Sequence, residues 1–239
     1  MSSDIYVGVT RTLESITIAC RRAGRNSSDI RLMAVSKTHP AEAMVEALRA
    51  GLTLFGENRV QEYERKSREL DGVELPGAPE VHLIGHLQSN KAARAVQFFQ
   101  SIDTLDSLRL AERINEAAAK AGRVMPVLLE VKLSSEESKS GLSPEGEETE
   151  RLLEALPGLA NLKVNGLMTV APLDDDPEVA RACFRRLRQH RDAWAAKHQR
   201  LDLHELSMGM SGDYEIAIEE GSTMIRLGTA IFGARETPV

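Results

Sequence analysis

The stretch "IRLMAVSKTHPAEAMVEALRAGLTLFG", residues 30–56, contains the unit from which the fold is built. Its first part, residues 30–36, is a short apolar run of strand length and reads as a strand. Residues 41–50 carry apolar side chains at helical spacing. Gly51 follows, where a helix end favours a residue in the left-handed region. Residues 52–56 then start a second apolar run. Strand, helix and strand in so short a span imply two parallel strands joined by a right-handed crossover.

The unit repeats along all 239 residues. Further strands are predicted over 81–85, 100–105, 125–133, 162–170, 203–208 and 223–228, which makes eight. Helical patterns lie between them at 58–70, 88–98, 106–121, 145–156, 177–198 and 213–220, with a brief one at 229–234. An additional helix, roughly 4–24, precedes the first strand and ends at Gly24. Asp106 or Ser107 can cap the fourth inter-strand helix, and Pro144 suits the first turn of the fifth. Gly122 and Gly221, like Gly51, fall just past helix ends. Eight β–α units in this length match a (β/α)8 TIM barrel with an extra N-terminal helix, in a single domain spanning residues 1–239. An open doubly wound sheet would show fewer strands and often a GxGxxG after the first; none follows residue 36.

Bulk properties narrow the class. The formal net charge is −6, which argues against general nucleic-acid binding. The densest basic stretch, "RACFRRLRQHR" (181–191), reads as the solvated face of an amphipathic helix whose apolar side includes Val179, Cys183, Leu187 and Trp194. Two cysteines, Cys20 and Cys183, stand far apart without a CxxC pattern. They form neither a disulfide framework nor a metal site and fit a reducing compartment. No transmembrane stretch or signal-peptide pattern is evident, so the expected location is the cytoplasm.

In a barrel, function gathers at the C-terminal ends of the strands, so the residues following each strand form one set. Three features stand out in it. The loops "SMGMSGD" (207–213) and "RLGTAIFG" (226–233) are rich in small residues, with hydroxyls at Ser211 and Thr229. They occupy the place after strands 7 and 8 where many barrels bind phosphate. Arg226 shares one face of strand 8 with Met224 and Gly228. It is either a ligand-facing cation or half of a barrel-lining ion pair with an acidic residue such as Glu57 or Glu130. Lys37 closes strand 1. Taken alone it reads as a lysine snorkelling to solvent. Pointing inward, near Arg226 and partly desolvated, it would have a lowered pKa and a nucleophilic amine. A phosphate site facing a nucleophilic lysine is what a pyridoxal 5′-phosphate (PLP) Schiff base requires.

The motifs "AVSKTHP", "FGENRVQE", "HLIGHLQSNK", "SIDTLDS", "SKSGL", "GLMTVAP" and "LSMGMSGDYEIAIEEGSTMIRLGTAIFGAR" occur in this order. With them the chain resembles the PLP homeostasis protein family over about residues 5–235, a family similar to the N-terminal barrel domain of alanine racemase. One departure is Val81, where many members carry Trp. The resemblance implies PLP as cofactor, Lys37 as the Schiff-base lysine and Arg226 facing the pyridine nitrogen. It implies Ser207, Ser211, Gly228 and Thr229 around the phosphate, Met208 packing nearby, and Asn58 lining the ring side. His82, His86 and Lys139 lie in family motifs without an assigned role; His82 reads as a hydrogen-bonded barrel histidine.

An arginine partner leaves the pyridine nitrogen unprotonated and weakens the ring as an electron sink. A two-base racemase also needs an acid–base group opposite the lysine, which in alanine racemase is a tyrosine from the other subunit. Tyr6, Tyr63 and Tyr214 all fall in predicted helices, and the chain ends just after the eighth unit. The expectation is a non-catalytic PLP-binding protein, a monomer, that holds, buffers or delivers the cofactor. Its partners would be PLP, other B6 vitamers and PLP-dependent apo-enzymes. The alternatives are a small amino-acid racemase of broad specificity and a phosphate-binding barrel without PLP, such as a sugar-phosphate aldolase.

Overall fold

The computed structural model describes residues 4–133 and 140–233. Eight parallel strands close into a barrel in chain order: β1 (Arg31–Val35), β2 (Leu54–Glu57), β3 (Glu80–Leu83), β4 (Ser101–Leu105), β5 (Met125–Glu130), β6 (Leu162–Met168), β7 (Glu205–Ser207) and β8 (Met224–Leu227). Pairing of Met33 with Arg226 and of Ala34 with Leu227 closes the ring. The eight expected strands are all present, most of them a residue or two shorter at their ends.

Helices α1 (Asp4–Arg22), α2 (Ala41–Arg49), α3 (Val60–Leu70), α4 (Ala92–Phe98), α5 (Leu108–Lys120), α6 (Glu147–Ala155), α7 (Pro177–Lys197), α8 (Tyr214–Glu219) and α9 (Thr229–Phe232) surround it. Gly24, Gly51, Gly122 and Gly221 all take positive φ just past helix ends, as their positions predict. Ser107 is the cap of α5, its Oγ accepting from the Leu110 amide at 3.4 Å. Pro144 does not open α6, which begins at Glu147. The Ser143 carbonyl accepts from the Gly146 amide at 2.9 Å and the Thr149 hydroxyl at 2.6 Å, and this tight turn delays the helix.

The extra helix has a clear task. The helix after β8 is only four residues long, too short to cover the β8–β1 seam. Helix α1 lies against α2, α8 and α9 and covers it, burying Val9, Thr12, Ile16, Ala19 and Cys20 along one stripe. Cys20 and Cys183 are both buried, and neither is in a disulfide. On α7, Cys183, Leu187 and Trp194 are buried as expected, whereas Val179 is only half-buried. Its Arg181, Arg185 and Arg188 converge on Glu220 at 3.4, 2.9 and 3.5 Å.

Two apolar layers follow from strand alternation. Ala34, Phe55 and Ile225 face outward into the core shared with the helices. Met33, Leu54 and Met224 face inward and form a separate cluster with Ile84. Beside this plug the barrel interior is charged. His82, buried, places Nδ1 2.9 Å from Asp103 and Nε2 2.9 Å from Glu80. Arg31 ties Glu80 at 2.8 Å and Glu205 at 3.1 Å. Burial alone would push the His82 imidazolium down; Asp103 and then Glu80 outweigh it and raise its pKa to about 9. His82 is thus a hydrogen-bonded barrel histidine, as its sequence context predicts.

Candidate functional site

The turn after β1 aims Lys37 at the barrel mouth. Ser36 is fully buried, Lys37 half-buried and Thr38 exposed. A cavity of about 300 Å³ opens there, and Lys37, Ser211, Arg226, Gly228 and Thr229 all line it. Its volume is at the lower end for small-molecule sites. Five residues chosen from three distant stretches of sequence therefore line one cavity.

Arg226 reaches the cavity from below and is almost entirely buried. Its Nη1 donates to Ser207 Oγ at 2.8 Å and its Nη2 to the Thr169 carbonyl at 2.7 Å. Those bonds fix the plane of the guanidinium and leave three of its five N–H donors for other partners. Burial lowers its pKa, and Asp103, Asp213 and Glu130 counter that effect from a distance. An arginine starts so high that it stays charged. Among the described residues no carboxylate lies within ion-pair distance of it. The barrel-lining ion pair with Glu57 or Glu130 does not form: Glu57 is held by Lys66 at 2.7 Å, and Glu130 faces Ser140 at 3.4 Å.

The loop after β7 turns at Gly209, with φ +100; a Cβ there would also meet the Ala217 Cβ at 2.6 Å. Asp213 Oδ1 accepts from the Met210 amide at 2.6 Å and locks the loop, presenting Ser211 and Gly212 to the cavity. Opposite, Thr229 opens α9, where the first amides have no intrahelical acceptor. Hydroxyls, helix-start amides, a buried cation and a primary amine around one cavity suit a small anion that carries an electrophilic carbonyl.

Three expected residues sit elsewhere. Ser207 is fully buried and reaches the site only through Arg226, whose N–H its hydroxyl accepts. Met208 is buried in the apolar core. Asn58 is half-buried and packs its backbone on Gly85, where a Cβ would land 2.2 Å from the Asn58 carbonyl oxygen. Neither it nor Met208 lines the cavity. His86 is exposed, 3.3 Å from Asp106, in a different and more open groove of about 650 Å³ with Arg109 and Arg113. That groove is larger, but it holds neither an amine nor a buried cation, so the smaller cavity is the better candidate. Lys139 lies outside the described residues.

Sequence reasoning missed His39, Val35 and Ile84, which also line the cavity. His39 stacks on Phe232, ring centroids 4.9 Å apart. Its signal was available, two residues past Lys37 in the same turn. Also missed was Lys66, fully buried beneath that turn.

A parallel eight-stranded barrel with an amine at the end of β1 and a buried arginine on β8 defines an alanine-racemase-type barrel. The family model for the alanine racemase N-terminal domain matches residues 13–236. The pyridoxal phosphate homeostasis protein of Aquifex aeolicus is 42% identical over 228 residues, 95% of this chain and 97% of that one. Its counterpart from Escherichia coli K12 is 40% identical over 235 residues, 98% of each chain. The solved structure of PipY from Synechococcus elongatus with PLP bound aligns with TM-score 0.80 and 40% identity, over 90% of this chain and 98% of that one. Alanine racemase from Clostridium difficile aligns with TM-score 0.67 at 18% identity, over 94% of this chain and 57% of that one, a likeness of fold. The chain belongs to the pyridoxal phosphate homeostasis protein family.

Proposed function

We propose that this protein binds PLP in the cavity at the barrel mouth, holds it covalently through the Lys37 amine, and buffers or delivers it without efficient catalysis of its own. The observation that carries the reading is the convergence of Lys37, buried Arg226, Ser211, Gly228 and Thr229 on one cavity. The relatives named for PLP homeostasis and the PLP-bound PipY structure support it. When bound, PLP supplies an aldehyde for a primary amine and a phosphate that needs anion donors. Ser211, Gly228 and Thr229 would hold the phosphate. Arg226 would meet the ring nitrogen and can only donate to it, which would leave that nitrogen unprotonated.

A second reading, a small racemase of broad specificity, draws on His39 at the cavity wall. His39 and Lys37 come from one turn of chain, whereas two-base racemisation needs groups on opposite faces of the reacting carbon. None of the three tyrosines lines the cavity, and Tyr63 is buried against Phe99 at 5.1 Å between ring centroids. We therefore favour the carrier. The chain works as a monomer in the cytoplasm, takes related B6 vitamers and passes PLP to apo-enzymes. No helix among the described residues is long and apolar enough to cross a membrane. The PLP-loaded protein should leave single-enantiomer amino acids unracemised; turnover that Lys37→Ala abolishes would overturn the carrier reading.

A further inference from the structure

Beneath Lys37 lies a charged cluster that the site as described does not use. Lys66, on the inner face of α3, and Glu57, at the end of β2, are both fully buried. Lys66 Nζ donates to Glu57 Oε1 at 2.7 Å and to the Ser36 carbonyl at 2.8 Å, and lies 3.0 Å from Glu62 Oε1. The Ser36 hydroxyl donates to Glu57 Oε1 at 2.7 Å. Glu62 Oε1 accepts from the Thr38 amide at 2.6 Å. One cluster therefore grips the main chain on both sides of Lys37, at the carbonyl before it and the amide after it.

Two facts argue that this grip is more than packing. Thr38 has φ +67, and it is the one non-glycine residue with positive φ among those described. A β-branched residue is strained there and stays only if its surroundings hold it. Secondly, a buried ion pair is a poor stabiliser, since apolar residues of similar size usually do as well. Glu62 also keeps its charge: burial opposes it, but the Thr38 amide and Lys66 hold its carboxyl below the ordinary range.

We propose that the Lys66–Glu57–Glu62 cluster is a positioning device for Lys37, locking the left-handed turn at Thr38 so that the Lys37 amine stands at the cavity. The proposal rests on the reading that Lys37 carries the cofactor. Lys66 does not line the cavity and acts only through the chain.

Glu62 is partly exposed, so Glu62→Ala removes the Thr38 acceptor while leaving the buried Lys66–Glu57 pair in place. Three readouts apply: thermal unfolding, hydrogen exchange at the Thr38 amide in the ligand-free protein, and the rate at which PLP is trapped on Lys37 by borohydride. Glu62→Ala should slow trapping and speed Thr38 exchange by about tenfold or more, as loss of a charged hydrogen bond implies, with little change in Tm. Glu62→Gln keeps an acceptor and should restore most of both. Thr38→Gly in the Glu62→Ala background should recover much of the trapping rate, because glycine takes positive φ without strain. Wild-type trapping or wild-type Thr38 exchange in Glu62→Ala would overturn the proposal. Lys37→Ala separates the two levels. Trapping that survives in Lys37→Ala removes the cofactor reading itself. Trapping lost there but unchanged in Glu62→Ala removes only the positioning role.

Discussion

The two ends of the barrel use charge in opposite ways. At the N-terminal end Arg31, Glu80, His82, Asp103 and Glu205 are satisfied by one another, at 2.8 to 3.1 Å. At the C-terminal end Arg226 is tied, among the described residues, only to a hydroxyl and a carbonyl, and it shares a cavity with Lys37. A closed network of this kind makes folding sensitive to the loss of any one member, which leaves a buried charge unpaired. A buried arginine with N–H donors to spare beside a cavity is arranged for a ligand. The contrast predicts that damage at the lower end lowers stability with the site's chemistry intact, and that damage at the mouth does the reverse.

The largest stability effect should come from His82→Leu. It leaves Asp103 buried without its cation, which costs about 3–5 kcal/mol. The surviving folded fraction should still take up PLP. Linkage sharpens the same point. The folded His82 pKa, about 9, lies above its ordinary 6.5. A raised pKa means that the stabilisation, roughly 3 kcal/mol, is fully present below about pH 6.5 and is lost as pH rises through about 9. Denaturant unfolding of the wild type should weaken across that window, and His82→Gln should flatten the slope. Glu80 adds the opposite limb: hydrogen bonding from His82, then from Arg31, outweighs its partial burial and holds it near 2, so its share is fully present above about pH 4.5 and is lost as pH falls through about 2.

Arg226→Lys should have a smaller effect on folding, about 1–2 kcal/mol, because a lysine cannot serve Ser207 and Thr169 with the same fork. It should nevertheless alter the absorption of bound PLP, which His82→Leu should not. An Arg226→Lys protein whose bound cofactor keeps the wild-type spectrum would break the contrast between the two ends.

Much of this was legible beforehand, for specific reasons. The eight strands read cleanly because each βα unit switches from a short apolar run to a helical period, with glycines such as Gly51 and Gly122 marking helix ends. Lys37, Ser211, Gly228 and Thr229 were legible because a barrel sends strand-end residues to one mouth. The face of Arg226 was legible from alternation, but its partners were not. Period two gives a side, not a depth, so alternation does not distinguish Ser207 and Thr169 from Glu57 or Glu130 as partners. Lys66 was hidden by its type, since a lysine on an amphipathic helix normally marks the solvent face. Its signal was spacing: it stands on the stripe of Tyr63 and Leu70, which α3 buries.

The central claim is that Lys37 is the residue that holds PLP. Borohydride reduction of the PLP-loaded protein, followed by peptide mass spectrometry, tests it directly. The account predicts the pyridoxyl adduct on the Lys37 peptide and no adduct in Lys37→Ala; an adduct on Lys66 or another lysine, retained in Lys37→Ala, would contradict it.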